Sequence, residues 1–113
     1  MKFEMAKEFS VEEIEYAMES NNVDVLKQIP FSVGEYSLDF NRAQKICVEL
    51  LTNSDDAEVR ANAVLGLSYL ARRFKMLDLN LVLPLIRNEL LHNKEWRGRI
   101  QESFEDIKLF LDI

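Results

Sequence analysis

The stretch DDAEVRANAVLGLSYLARRF, residues 55–74, decides the fold. On a helical wheel Val59, Ala63, Gly66, Leu67, Leu70 and Phe74 share one side, with Val64 and Ala71 just beyond it. That apolar arc is wider than a helix needs to touch a single neighbour. Arg60 falls inside the arc. A charge turned toward a core is tolerable only when it is paired and hydrogen-bonded. The arginine therefore predicts an interface between packed helices with a polar clamp built into it. Asp55, with Glu58 three residues on, has the spacing of a capping box that opens this helix.

The pattern returns 37 residues later. Trp96, Arg97, Ile100, Ser103, Phe104, Ile107 and Leu111 stand where Val59, Arg60, Ala63, Gly66, Leu67, Leu70 and Phe74 stood. The preceding segments match at a shift of 40, ELLTN at 49–53 against ELLHN at 89–93, and the difference is a three-residue change in the turn. Two helix pairs at this spacing form an internal repeat of solenoid type.

The remaining elements follow from caps and periodicity. Residues 11–20 form a helix capped by Ser10, with Glu13 completing a capping box and Val11, Ile14, Ala17 and Met18 on its apolar side. A short helix at 23–28 is capped by Asn22 and ended by Pro30, because the residue before a proline is disfavoured in the helical region. PFSVGEYSLD, residues 30–39, then reads as a connecting loop. A third helix at 41–52 carries the stripe Ala43, Ile46, Cys47, Leu50 and Leu51. A fifth runs over 81–91, with Asn80 as its cap and Pro84 near its first turn, where a missing N–H costs least. A sixth runs over 95–111. The expected fold is all-α, a short α-solenoid of about three antiparallel helix pairs with six helices.

Composition agrees with this reading. The 113 residues suit one domain, and the 48% hydrophobic fraction can supply a core. Three glycines and two prolines are too few for the turns of a sandwich or barrel. The start, MKFEMAKEFSVEE, is charged and lacks the apolar run of a signal peptide, and no run is long enough to span a membrane. A single cysteine, Cys47, forms no internal disulfide, so a cytoplasmic, reducing location is expected. The net charge of −6 lies entirely in the first third: residues 1–40 hold nine acids and three bases, and the rest holds eleven of each. Such a chain should repel nucleic acid and anionic membrane and attract a basic partner.

SDDAEVRANAVLGLSYLA resembles the second helix of a HEAT repeat, with its Asp-rich turn and Val-Arg pair, and LVLPLIRNELL resembles the first helix of the next. The specific resemblance covers about residues 42–112. It implies one HEAT-like domain over 1–113: a degenerate acidic first repeat at 1–40, a second at 41–75 and a third at 76–113. It also implies a structural ladder in which Asp55 or Asp56 pairs with Arg60, and Arg97 serves the next rung. The turn HNKE lacks the matching aspartate.

Chemistry is sparse. His92, the lone histidine, has no neighbouring cysteine for an ordinary zinc site and reads as a helix-end residue facing the dipole. Cys47 on its apolar stripe reads as a buried thiol. Trp96 belongs to the apolar arc and reads as core, with an exposed anchor as the alternative. The paired acids Glu12 and Glu13, Asp55 and Asp56, and Glu105 and Asp106 lie at caps or on outward faces. Gly66 and Gly98 are single and suit close helix packing; no phosphate-binding loop appears. No set of nucleophile, base and oxyanion donor emerges. No catalytic residue, cofactor or metal site is expected.

Two surfaces suit a partner. Glu12, Glu15, Tyr16 and Glu19 share one face of the first helix, and no lysine or arginine occurs between Lys7 and Lys27 to relieve their repulsion. Asp24, Glu35, Tyr36 and Asp39 extend this negative field. The face is either a solubilising surface or a docking face for a cationic partner. The second surface is the outward side of the repeat helices: Asn62, Leu65, Tyr69, Arg72 and Arg73, then Arg99, Glu102, Asp106 and Leu109. In HEAT proteins second helices line the concave, partner-binding side, and tyrosine and arginine are common anchors. Ordinary surface is the alternative reading.

The chain also resembles small bacterial HEAT-like proteins, among them immunity proteins of contact-dependent inhibition and other polymorphic toxin systems. The resemblance implies a non-enzymatic cytoplasmic module, monomeric when free, that binds and neutralises a basic nuclease-type toxin. A HEAT-like adaptor or subunit of a protein complex is the alternative. Some HEAT-like proteins are DNA glycosylases, but those need a basic concave face, and Arg72, Arg73, Lys75, Arg97 and Arg99 are too few to form one.

Overall fold

The computed structural model describes residues 6–113; Lys2 and Glu4 of the acidic first third, and residues 1–5 of the charged start, lie outside the described residues. The described residues are all-α. The elements are α1 (Val11–Ser20), α2 (Val23–Leu26), α3 (Ile29–Tyr36), α4 (Phe40–Asn53), α5 (Ala57–Phe74), α6 (Leu79–His92) and α7 (Arg97–Leu111). Six of these have eight or more residues, and α2 is a single turn.

The elements start where their caps dictate. Ser10 Oγ accepts from the Glu13 N–H, and the Ser10 N–H donates to Glu13 Oε1, closing the expected capping box on α1. The Asn22 side chain caps α2. Asp56, one residue later than expected, caps α5 by accepting from the Val59 N–H at 2.9 Å. Residues 30–39 are not a loop: α3 occupies most of them. Pro30 sits in the first turn of α3, where its fixed φ favours a helix and its missing N–H costs nothing, so it starts a helix as well as closing off α2. α6 begins two residues earlier than expected, at Leu79 after Asp78, which places Pro84 inside the helix.

α5 is the middle of the molecule. It packs against α3 on one side, α7 on the other and α4 beneath, while α6 lies against α7. Val59, Ala63, Val64, Leu67, Leu70 and Ala71 of the apolar arc are fully buried. Ala61, Asn62 and Ser68, outside that arc, are buried as well. The α4 stripe (Ala43, Ile46, Cys47, Leu50 and Leu51) is buried throughout, and Ile100 and Ile107 close the core from α7. Trp96 packs on the core in part, as expected. Gly66 lets α5 approach the backbone of Pro30 and the thiol of Cys47: a Cβ there would lie 2.8 Å from Pro30 O. Gly98 differs from expectation, since a Cβ there meets nothing within 4 Å.

Ser103, 37 residues after Gly66, is 1% exposed, and its hydroxyl has no hydrogen-bond partner among the described residues. An unsatisfied buried hydroxyl costs about 1–3 kcal/mol, and alanine is the better helix former. Ser103→Ala should therefore raise stability by about 1 kcal/mol in urea unfolding; a lower midpoint would mean that the hydroxyl is satisfied after all.

Arg60 does turn inward, but its partner is not an aspartate. Its Nε donates to Glu89 Oε2 at 2.9 Å and its Nη1 to the Ser54 carbonyl at 2.8 Å. Glu89 is 5% exposed and also accepts from Asn93 Nδ2 at 2.7 Å, while the same amide donates to the Ala57 carbonyl at 2.8 Å. The clamp therefore joins α6 to α5 through the ELLHN segment. Asp56 is occupied with capping, and Asp55 is exposed. Arg97 is exposed rather than inward. It donates to the carbonyls of Leu90 and Leu91 at the end of α6 (2.8 and 3.1 Å), so the second rung is a C-terminal cap. Both arginines nonetheless bind the carbonyl six residues before them, Ser54 and Leu91. This is the repeat expressed in hydrogen bonds.

Candidate partner-binding surfaces

α1 is amphipathic because Ile14 and Ala17 are buried and Met18 is partly so, which leaves the rest of the wheel to solvent. Glu12, Glu15 and Glu19 are all exposed, and none forms an ion pair among the described residues. Tyr16 stands among them at 72% exposure. An aromatic ring this open, ringed by unpaired carboxylates, has nothing of its own chain to hold. Glu13 differs: the donated Ser10 N–H holds its carboxyl below the usual range, and Lys7 lies 3.8 Å away.

The outlying acids divide. Asp24 is exposed one turn beyond α1. Glu35 pairs with Arg72 at 3.3 Å and so belongs to the other face. Tyr36 is partly buried, and its hydroxyl donates to the Ala6 carbonyl at 2.7 Å. Asp39 caps α4 by accepting from the Arg42 N–H. Tyr36 and Asp39 line a groove of about 430 Å³ with Val11 and Arg42, which brings them beside the start of α1. Each already has a structural task, so their negative charge is not idle as that of Glu12, Glu15 and Glu19 is.

The second face is built from α3, α5 and α7. Tyr69 packs against Phe31 of α3 with ring centroids 6.2 Å apart, and Arg72 lies over the Tyr69 ring at 5.2 Å. Burial, followed by the negative charge of Glu35, pushes the Tyr69 phenol up. Arg99 stacks on Trp96 at 4.7 Å. Glu102 and Asp106 are exposed beside Leu109, which is 75% exposed.

Two residues expected on this face are not available there. Asn62 is 2% exposed: its Nδ2 donates to the Lys27 carbonyl at 2.9 Å, and its Oδ1 accepts from Arg99 Nη1 at 2.6 Å. It is a polar stitch through three successive layers, buried because α5 is covered on both flanks. Arg73 donates to the Gly34 and Ser37 carbonyls, both at 2.7 Å, and so caps the end of α3. Phe31 and Glu35 are the residues the sequence reading missed. Their signal was the spacing of Ile29, Ser32 and Val33 in IPFSVGEY, overridden by taking Pro30 only as a stop.

Titratable groups elsewhere are quiet. His92 is exposed in the last turn of α6, with Nδ1 2.9 Å from the Asn88 carbonyl oxygen. Among the described residues no group of three or more His, Cys, Asp or Glu is placed to hold a metal ion, and no helix is long and apolar enough to cross a membrane. Burial pushes the Cys47 thiol up from an ordinary 9.0 to about 12. Unfolding between those values releases a proton, so stability falls as pH rises through that window. At pH 8 a disulfide reagent should label Cys47 only as fast as the chain unfolds globally; prompt labelling in native buffer would contradict its burial.

No protein family and no curated protein matches this sequence. In structure the chain is similar to a chain of the CDI complex from Cupriavidus taiwanensis LMG 19424. The TM-score is 0.80 over 97% of both chains, at 20% sequence identity. The likeness establishes a shared fold.

Proposed function

We propose that this chain is a non-catalytic, HEAT-like protein-binding domain that acts in the cytoplasm as an immunity protein, docking a basic toxin domain on the acidic face of α1. The observation that carries this reading is the exposed, unpaired row Glu12, Glu15 and Glu19 around the open ring of Tyr16. Like charges at helical spacing weaken a helix by a few tenths of a kcal/mol per pair, and the described residues supply nothing to offset that. A cationic partner would. The fold supports the same reading, since a structurally similar chain occurs in a CDI complex, the class of assembly expected for the immunity proteins this sequence resembles. Three helix pairs, α1–α2 with α3, α4 with α5, and α6 with α7, would provide the rigid platform. Carboxylates placed before a basic active site imitate substrate phosphates and steer the encounter.

The direct test is growth rescue. Cells expressing a toxin encoded beside this gene should survive when the chain is co-expressed and die when it is not. The triple change Glu12→Lys, Glu15→Lys and Glu19→Lys should slow association with the purified toxin about tenfold or more and flatten its salt dependence, while leaving thermal unfolding nearly unchanged because the three sites are exposed. Unaltered association and salt dependence would make this face mere solvated surface.

A further inference from the structure

The ELLxN segment occurs twice, and only one copy has a cation. At 89–93 its glutamate and asparagine hold the Arg60 guanidinium. At 49–53 the same residue types, Glu49 and Asn53 at the end of α4, line an open cleft of about 420 Å³ facing α1 and α2. Glu19 and Asp55 complete its polar wall, Met18 and Leu26 supply apolar floor, and no basic residue lines it. The residue 37 before Arg60 is Val23, an apolar side chain packed on the core. The nearby cation Lys27 is taken by Glu58 at 3.3 Å, a contact that also raises its pKa. None of Glu19, Glu49 and Asp55 forms an ion pair among the described residues.

We infer that this cleft receives an arginine side chain of the protein partner, in the way the Glu89–Asn93 pair receives Arg60. The inference rests on the partner-binding reading above and names one contact within it. A guanidinium is planar, weakly hydrated and always charged, so it can lie on Met18 and Leu26 while donating to Glu49 and to its neighbouring carboxylates. Lysine offers a compact, strongly hydrated charge that would leave the apolar floor unused. The cleft opens beside Glu19, so an arginine seated there would reach it from the acidic face of α1.

The test needs no toxin. The ¹⁵N-labelled full chain is titrated with N-acetyl-arginine amide and with N-acetyl-lysine amide at equal ionic strength. Saturable shifts at Glu49, Asn53 and Ser54 are expected, with arginine binding about tenfold tighter than lysine and Glu49→Gln weakening arginine about tenfold, as the loss of one charge-assisted bond implies. Asp55→Asn, at an exposed position, repeats the test should the first variant unfold. Non-saturating shifts, equal response to both amides, or unchanged binding in both variants would overturn the inference. Growth rescue, with salt-dependent association through α1, would still stand in that case, whereas failure of rescue alongside arginine binding here would overturn the toxin reading alone.

Discussion

Glu89→Ala is expected to destabilise the protein by about 3 kcal/mol, the low end of the range for removing one partner of a buried ion pair. The Glu89 side chain is 7% exposed and that of Arg60 23%, so the arginine left behind keeps some access to water, which moderates the loss. Asn93 loses an acceptor at the same time, although its bond to the Ala57 carbonyl remains. For a domain of this size the melting temperature should fall by roughly 10 °C. Replacing both partners, Arg60→Met with Glu89→Leu, should restore most of that stability, because a buried pair exchanged for apolar groups of similar volume is often neutral. Urea unfolding of the two single variants and the double measures the coupling between them. Additive losses would mean that the pair does not clamp α6 to α5.

Gly66→Ala should cost a net of about 2 kcal/mol despite alanine's better helix propensity. The added Cβ would lie 2.8 Å from Pro30 O, 2.9 Å from Pro30 Cβ and 3.0 Å from Cys47 Sγ. The first of these is backbone held in the opening turn of α3, so relief requires α3 to move away from α5. Lower stability together with faster labelling of Cys47 would show that the α3–α5–α4 junction has loosened. A variant as stable as the parent would mean that α3 is not held where the structure places it.

Arg60 was legible because a charge inside an apolar arc has few physical explanations. Its partner was not, because Glu89 looks like any glutamate on a helix until the 29-residue separation is closed in space. The capping box at Ser10 and the α4 stripe were legible for the opposite reason, since both are decided within a few residues. Pro30 shows the limit of local reading: the rule that a proline stops a helix and the rule that it starts one apply to the same residue, and only the packing of α3 on α5 separates them. Asn62 fails similarly. The wheel puts it opposite the core, but α5 has neighbours where a two-layer helix has solvent. The acidic face of α1 needed no tertiary information, because its charges have no partner at any sequence distance that matters.

The burial of α5 on nearly every side has one further consequence. Substitutions along it disturb several neighbours at once and have little room to accumulate, whereas α1 and the outer flanks of α3 and α7 can change one side chain at a time. A lineage tracking a changing adversary would therefore diversify at the rim, and the central rod would stay as the part that makes such diversification safe.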